Sequence, residues 1–203
     1  MDNKNLIDQI FDNLPQIFFE LINFAPSLAY EYDFKSPDIQ AKIEHINGIF
    51  VPTQRSRKPI FLVRDQFKFQ EDFYYQFFTE IFVYLGQKKS NKDWLAVIIY
   101  PRRSVESAVP RPYQWLIESS HVKRVYLDEL GESSELSLGL GLLKLIVEDE
   151  ATVAAHAKQL IQEAKEQDMK EVREKFLEFI QTILVSKFPQ LTPQDLVDKF
   201  ELK

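Results

Sequence analysis

The chain has no cysteine. That excludes disulfides and thiolate metal sites and fits a reducing compartment. Histidine is scarce: His45, His121 and His156 are scattered without the H-X-H or H-X3-H spacing of a zinc centre. Glycine is scarce too, with five in 203 residues. The closest pair, Gly139 and Gly141, lacks the third glycine and the strand–turn–helix setting of a dinucleotide loop. No apolar run reaches the ~18 residues of a membrane span. The first residues (MDNKNLIDQIFDNL) lack the basic stretch and apolar run of a signal peptide. A cytoplasmic protein that does not enter the membrane is the expectation.

What is present is apolar and aromatic. Apolar residues make up 45% of the chain, and 17 Phe and 8 Tyr supply bulky packing groups. That is enough for one full α/β core and an appendage. The net charge of −6 is unevenly spread. Residues 51–124 hold 13 Lys and Arg against 7 Asp and Glu, whereas 1–50 hold 3 against 8 and 125–203 hold 9 against 16. A basic middle between acidic flanks is the pattern of a phosphate-facing core. Lys88, Lys89 and Lys92 fall in one turn, and Arg102, Arg103 and Arg111 in a Pro-rich loop; Lys88, Lys89, Lys92, Arg102 and Arg103 are the candidate DNA contacts.

Leu6, Ile10, Leu14, Ile17, Phe18 and Leu21 recur at helical spacing over residues 4–24, with Pro15 a break and Pro26 the end. Residues 30–36 read as a short extended stretch. Two strands follow, 43–51 and 60–69, as a hairpin with a long polar loop. Residues 71–85 read as a helix buried nearly all round and capped by Gly86. The continuous apolar run 94–100 reads as a buried strand reached by a right-handed crossover. A short helix is expected at 113–119 and a strand at 122–127. Residues 137–147 are open between strand and helix. From 150 onward the pattern is helical: 150–166, 168–187 and 193–200, the last opened by Thr192–Pro193. The chain thus divides into an α/β core, 1–148, and a helical appendage, 149–203.

In a strand, alternate residues share a face. Arg64 and Gln66 therefore project together, Asp65 projects away with Phe61 and Val63, and Asn47 can lie opposite Arg64. Around these positions IFFELI (17–22), HINGIFVP (45–52), IFLVRDQFKFQEDFYYQFFTEIFVYL (60–85), WLAVIIYPRRSVE (94–106), VKRVYLDEL (122–130) and SLGLGLLKLIVE (137–148) resemble the recombination-promoting nuclease type proteins, a transposase-related group of the PD-(D/E)XK nuclease superfamily. KFPQLTPQ (187–194) resembles that family's helical tail.

The resemblance implies a restriction-endonuclease-like mixed sheet flanked by helices and a Mg²⁺-dependent phosphodiester hydrolase acting on DNA. Its acids hold Mg²⁺, which lowers the pKa of a bound water and neutralises the phosphate. Carried over, the helical acid is Glu20 and the third-position amide is Gln66. The first-strand Asp is Asn47, and the second-strand Glu is Arg64. A guanidinium ~5 Å from Mg²⁺ is repelled by roughly 2 kcal/mol in a water-like dielectric and roughly 7 kcal/mol at an effective dielectric constant of 20.

A one-residue bulge would exchange Arg64 for Asp65 and rebuild a metal site from Glu20 and Asp65. Without it, Asp65 lies on an apolar face. Glu71, Asp72 and Glu80 on the next helix are near, with Glu80 expected to be structural or exposed; Tyr74 and Tyr75 read as packing residues. Three expectations follow. The protein binds DNA or a protein partner without cutting, Arg64 itself attracting phosphate. Alternatively, it is a Mg²⁺-dependent endonuclease with a rearranged site. Or it is an interaction module that dimerises, through its C-terminal helices or with an intact relative.

Overall fold

Pro15 divides the first helical stretch as expected. In the computed structural model, which describes residues 4–35, 46–53 and 57–201, α1 (Lys4–Asn13) and α2 (Gln16–Leu21) flank it. α2 ends at Leu21 with Ile22 as its C-cap, and the next residue, Asn23, takes the left-handed conformation (φ 60°) common after a helix. Lys123 Nζ donates to the Ile22 carbonyl, tying this helix end to the sheet. The first part of the expected strand 43–51, including His45, lies outside the described residues, as do 54–56 of the hairpin loop.

The strands are β1 (Tyr32–Lys35), β2 (Gly48–Pro52), β3 (Ile60–Asp65), β4 (Trp94–Tyr100) and β5 (Val122–Tyr126). They form one mixed sheet in chain order. β1–β2–β3 is an antiparallel meander, and β3–β4–β5 is parallel. The parallel links pass through α3 (Phe73–Lys88) and α4 (Gln114–Glu118), as parallel strands require. β3 stops at Asp65, four residues before its expected end.

Period-2 alternation sorts the side chains between the two faces. Phe50 and Phe61 leave on one face and meet Phe18 of α2, whose ring stacks on Phe50 at 4.2 Å. Gly48 leaves the space that Phe34 fills; a Cβ there would fall 2.3 Å from the Phe34 ring. Ile49, Leu62, Ala96 and Ile98 leave on the other face and pack with Phe73, Phe77, Phe78 and Ile81 of α3. That helix is not buried all round: Tyr75, Phe82 and Val83 are exposed. Nor does Gly86 cap it. The helix runs two residues further and ends on Lys89 in the left-handed region (φ 46°).

Residues Lys4–Tyr126 form one compact unit and residues from Leu127 onward a second, so the division precedes the expected 148/149 boundary. The reason is that residues 137–147 fold as a helix. α5 (Leu138–Leu145) starts on the Ser137 cap and packs with α6 (Glu150–Lys165) and α7 (Lys170–Lys187). Gly141 permits that packing, since a Cβ there would lie 2.7 Å from Leu160 Cδ2. His156 Nδ1 sits 2.8 Å from Glu148 Oε1, an oxygen that also accepts from Ser133. α8 (Pro193–Phe200) opens with a Thr192/Asp195 capping box. Among the described residues no helix is long and apolar enough to cross a membrane.

Candidate functional site

The antiparallel register of β2 and β3 pairs Gly48 with Val63. One step further along, Asn47 faces Arg64, and the Asn47 amide nitrogen donates to the Val63 carbonyl at 2.8 Å. Both side chains leave on the α3 face. Arg64 Nη1 donates to Asn47 Oδ1 at 3.3 Å, while its Nε and Nη2 donate to Gln66 Oε1 at 3.2 and 3.0 Å. Asn47 Oδ1 also accepts from the Asp65 amide at 3.1 Å. Three of the expected site positions thus come together, with the guanidinium bridging the two amide oxygens. Arg64 is 8% exposed, so it points into the protein rather than out towards a phosphate, correcting that expectation.

Burial pushes the Arg64 guanidinium below its ordinary value, offset in part by Asp65, Glu80, Asp8 and Tyr100. It stays charged. Glu80 is buried, contrary to an exposed role. Asp8, half-buried on α1, acts on the same group. Its sequence neighbourhood has no motif that would have singled it out.

β3 carries no bulge. Its ladder with β4 is unbroken from Ile60↔Trp94 to Asp65↔Ile99, and the Gln66 amide continues it by donating to the Ile99 carbonyl at 2.8 Å. Asp65, 3% exposed, therefore leaves on the face opposite Arg64. Glu20 is half-buried on α2, whose Phe18 and Phe19 pack on Phe61 of that same opposite face.

The residues at the Asn47–Arg64–Gln66 position do not fit Mg²⁺. Two neutral amide oxygens are available there, both already accept from Arg64, and a fixed positive charge lies between them. Among the described residues no three His, Asp or Glu side chains form a group that could hold a metal ion.

A second polar cluster, which sequence reasoning missed, lies on the same sheet face at the carboxyl ends of β4 and β5. Glu106 accepts from Tyr74 at 2.5 Å, from Arg124 at 2.8 Å and from Tyr126. Tyr100 donates to the Tyr74 hydroxyl at 3.2 Å, and the Arg103 guanidinium lies 4.1 Å from the Tyr126 ring centre. Burial pushes Glu106 up, but the bonds from Tyr126, Tyr74 and Arg124 outweigh it and hold the carboxyl below its ordinary range. Burial, then the bond to Glu106, pushes Tyr126 up to about 12. Tyr100 and Tyr126 pair in the parallel ladder, a register readable only once β4 and β5 are known to be neighbours.

The expected DNA contacts separate into two groups. Arg102 and Arg103 follow the carboxyl end of β4 and are exposed, as is Lys68 beyond β3. Lys88, Lys89 and Lys92 precede its amino end. The seven residues of β4 between them span roughly 23 Å at ~3.3 Å per residue, so the two groups do not form one patch.

No curated protein and no solved structure matches the chain. A family described as "Protein of unknown function (DUF2887)" matches residues 4–200, nearly the whole length, and the chain belongs to that family.

Proposed function

We propose that residues 4–126 are a nuclease-type core of the PD-(D/E)XK kind in which a guanidinium occupies the place of the metal ion, and that the protein binds DNA without cutting it. The observation that carries this reading is Arg64 held between Asn47 and Gln66. A helix, a three-stranded antiparallel meander, a helix and a parallel strand follow in the order that such a core needs. The position between the hairpin strands is internally neutralised instead of metal-ready. The continuous β3 ladder keeps Asp65 from entering that position, which supports binding over a rearranged cleavage site.

Arg64 then has a positioning role, and DNA contact falls to exposed cations at the carboxyl ends of the parallel strands: Lys68, Arg102 and Arg103. Ligands of open α/β sheets bind at that end. Contact is electrostatic and independent of sequence, because these exposed cations reach backbone phosphates rather than base edges.

The test is duplex binding across a salt series, run beside plasmid cleavage in Mg²⁺ and Mn²⁺. Wild type is expected to bind at low salt and leave the plasmid intact. Arg102→Ala combined with Arg103→Ala should lower the salt slope by about two, roughly one for each phosphate that is no longer neutralised. Metal-dependent cleavage abolished by Asp65→Ala would overturn the reading, as would the absence of DNA binding at low salt.

A further inference from the structure

α3 buries one side against the sheet and leaves the other uncovered. The uncovered side is a regular seam: Tyr75, Thr79, Phe82 and Gly86 within the helix, with Asp72 at its N-cap and Lys89 at its C-cap, are all exposed. Their spacings alternate three and four residues, the a/d repeat of helices that pack along their length. Tyr75 is 47% exposed and Phe82 49%. Each is already ordered within its own chain: Tyr75 packs edge-on to Tyr113 at 5.5 Å and Phe82 to Trp94 at 6.1 Å. Thr79 Oγ1 donates to the Tyr75 carbonyl at 2.7 Å, so its hydroxyl needs no outside partner if covered.

Gly86 is the anomaly. Glycine inside a helix costs about 1 kcal/mol relative to alanine. Gly86 does not take a positive φ, and a Cβ there would meet nothing within 4 Å. Nothing among the described residues explains it, whereas a side chain arriving from a second copy would.

We infer that α3 packs antiparallel against α3 of a second copy of this chain, about a two-fold axis between Glu80 and Ile81. In an antiparallel pair each a position faces a d position of the other helix. That sets Tyr75 over Gly86, Phe82 over Thr79 and Asp72 over Lys89. Each large ring meets a small residue, each acid meets a cation, and the contact is self-complementary as a two-fold interface must be. A parallel pair would instead place Asp72 on Asp72 and Lys89 on Lys89. The two helices' dipoles also oppose favourably in the antiparallel pair. This contact differs from the expected one through the C-terminal helices.

Analytical ultracentrifugation of the full chain tests this. A reversible dimer is expected at roughly 100 µM, as for an interface with a Kd near 10 µM. Gly86→Phe and Phe82→Glu should each weaken association at least ~10-fold, about 1.4 kcal/mol, without loss of fold by circular dichroism. Asp72→Lys should weaken it, and Asp72→Lys with Lys89→Asp should restore it, an outcome that a general folding defect would not give. With no native cysteine, orientation is read by disulfide trapping. A mixture of Tyr75→Cys and Gly86→Cys chains should form the mixed dimer, since like positions lie roughly 16 Å apart along the axis. A monomer at every concentration, a dimer indifferent to Gly86→Phe, or cross-linking of like with like would overturn the inference.

Discussion

Exchanging the charge at the hairpin site should give a variant whose stability depends on metal, whereas wild type should not respond. In Asn47→Asp with Arg64→Glu the position becomes more negative by three unit charges. Each unit is worth roughly 1.7 kcal/mol against a divalent ion ~5 Å away in a water-like dielectric, so the total is about 5 kcal/mol, between three and four decades of affinity. Without metal the variant should suffer. Arg64 is the cation beside Asp65, Glu80 and Asp8, and removing one partner from a buried charge group costs about 3–5 kcal/mol. Metal at ~100 times its Kd returns about 2.7 kcal/mol. At roughly 2–4 °C per kcal/mol for a chain of this size, the melting point should rise by roughly 5–10 °C between chelator and Mg²⁺. Wild type should move by less than ~1 °C. Differential scanning calorimetry reads both. A cooperatively melting variant that ignores Mg²⁺ and Mn²⁺, or a wild type that responds as strongly, would refute the assignment of this position.

The remaining predictions concern stability. Gly141→Ala should destabilise by up to about 2 kcal/mol, because the clash with Leu160 costs ~1–3 kcal/mol against the ~1 kcal/mol gained in helix propensity. Gly86→Ala, with open space around it, should stabilise dilute protein by up to ~1 kcal/mol; urea titration compares the two. The Glu106 carboxyl titrates below its ordinary value of 4.5 when folded, so the unfolded chain binds more protons in that window. Its contribution to stability is complete above about pH 4.5 and is lost as the pH falls through the folded value; Glu106→Gln should flatten that acid limb in pH-dependent melts. Tyr126 is shifted the other way, up to about 12. Its contribution is present below about pH 10 and is lost as the pH rises through the folded value, which ultraviolet titration beside Tyr126→Phe should register.

Much of the hairpin was legible because strand geometry is periodic. Alternation placed Arg64 with Gln66 and Asp65 apart from them, and the β2–β3 register set Asn47 opposite Arg64. Glu20 was not brought to that position, because it lies on a helix packed against the other face. The Glu106 cluster was not legible at all. It joins α3, β4, the loop after β4 and β5, and its members share no sequence spacing. Residues 137–147 were ambiguous because two glycines weaken a helix locally. Packing against Leu160 gives Gly141 its reason, and that packing is tertiary.

By itself, then, the sequence determined most of the secondary elements, the alternating apolar faces and the absence of thiol chemistry, since these follow from residue type and short-range spacing. Only the tertiary structure decided that Arg64 turns inward onto two amide oxygens, that Asp65 stays on the opposite face, and that α3 leaves an aromatic seam uncovered. Those outcomes depend on unbroken strand register and on which helix covers which face, and neither is a property of any local stretch of chain.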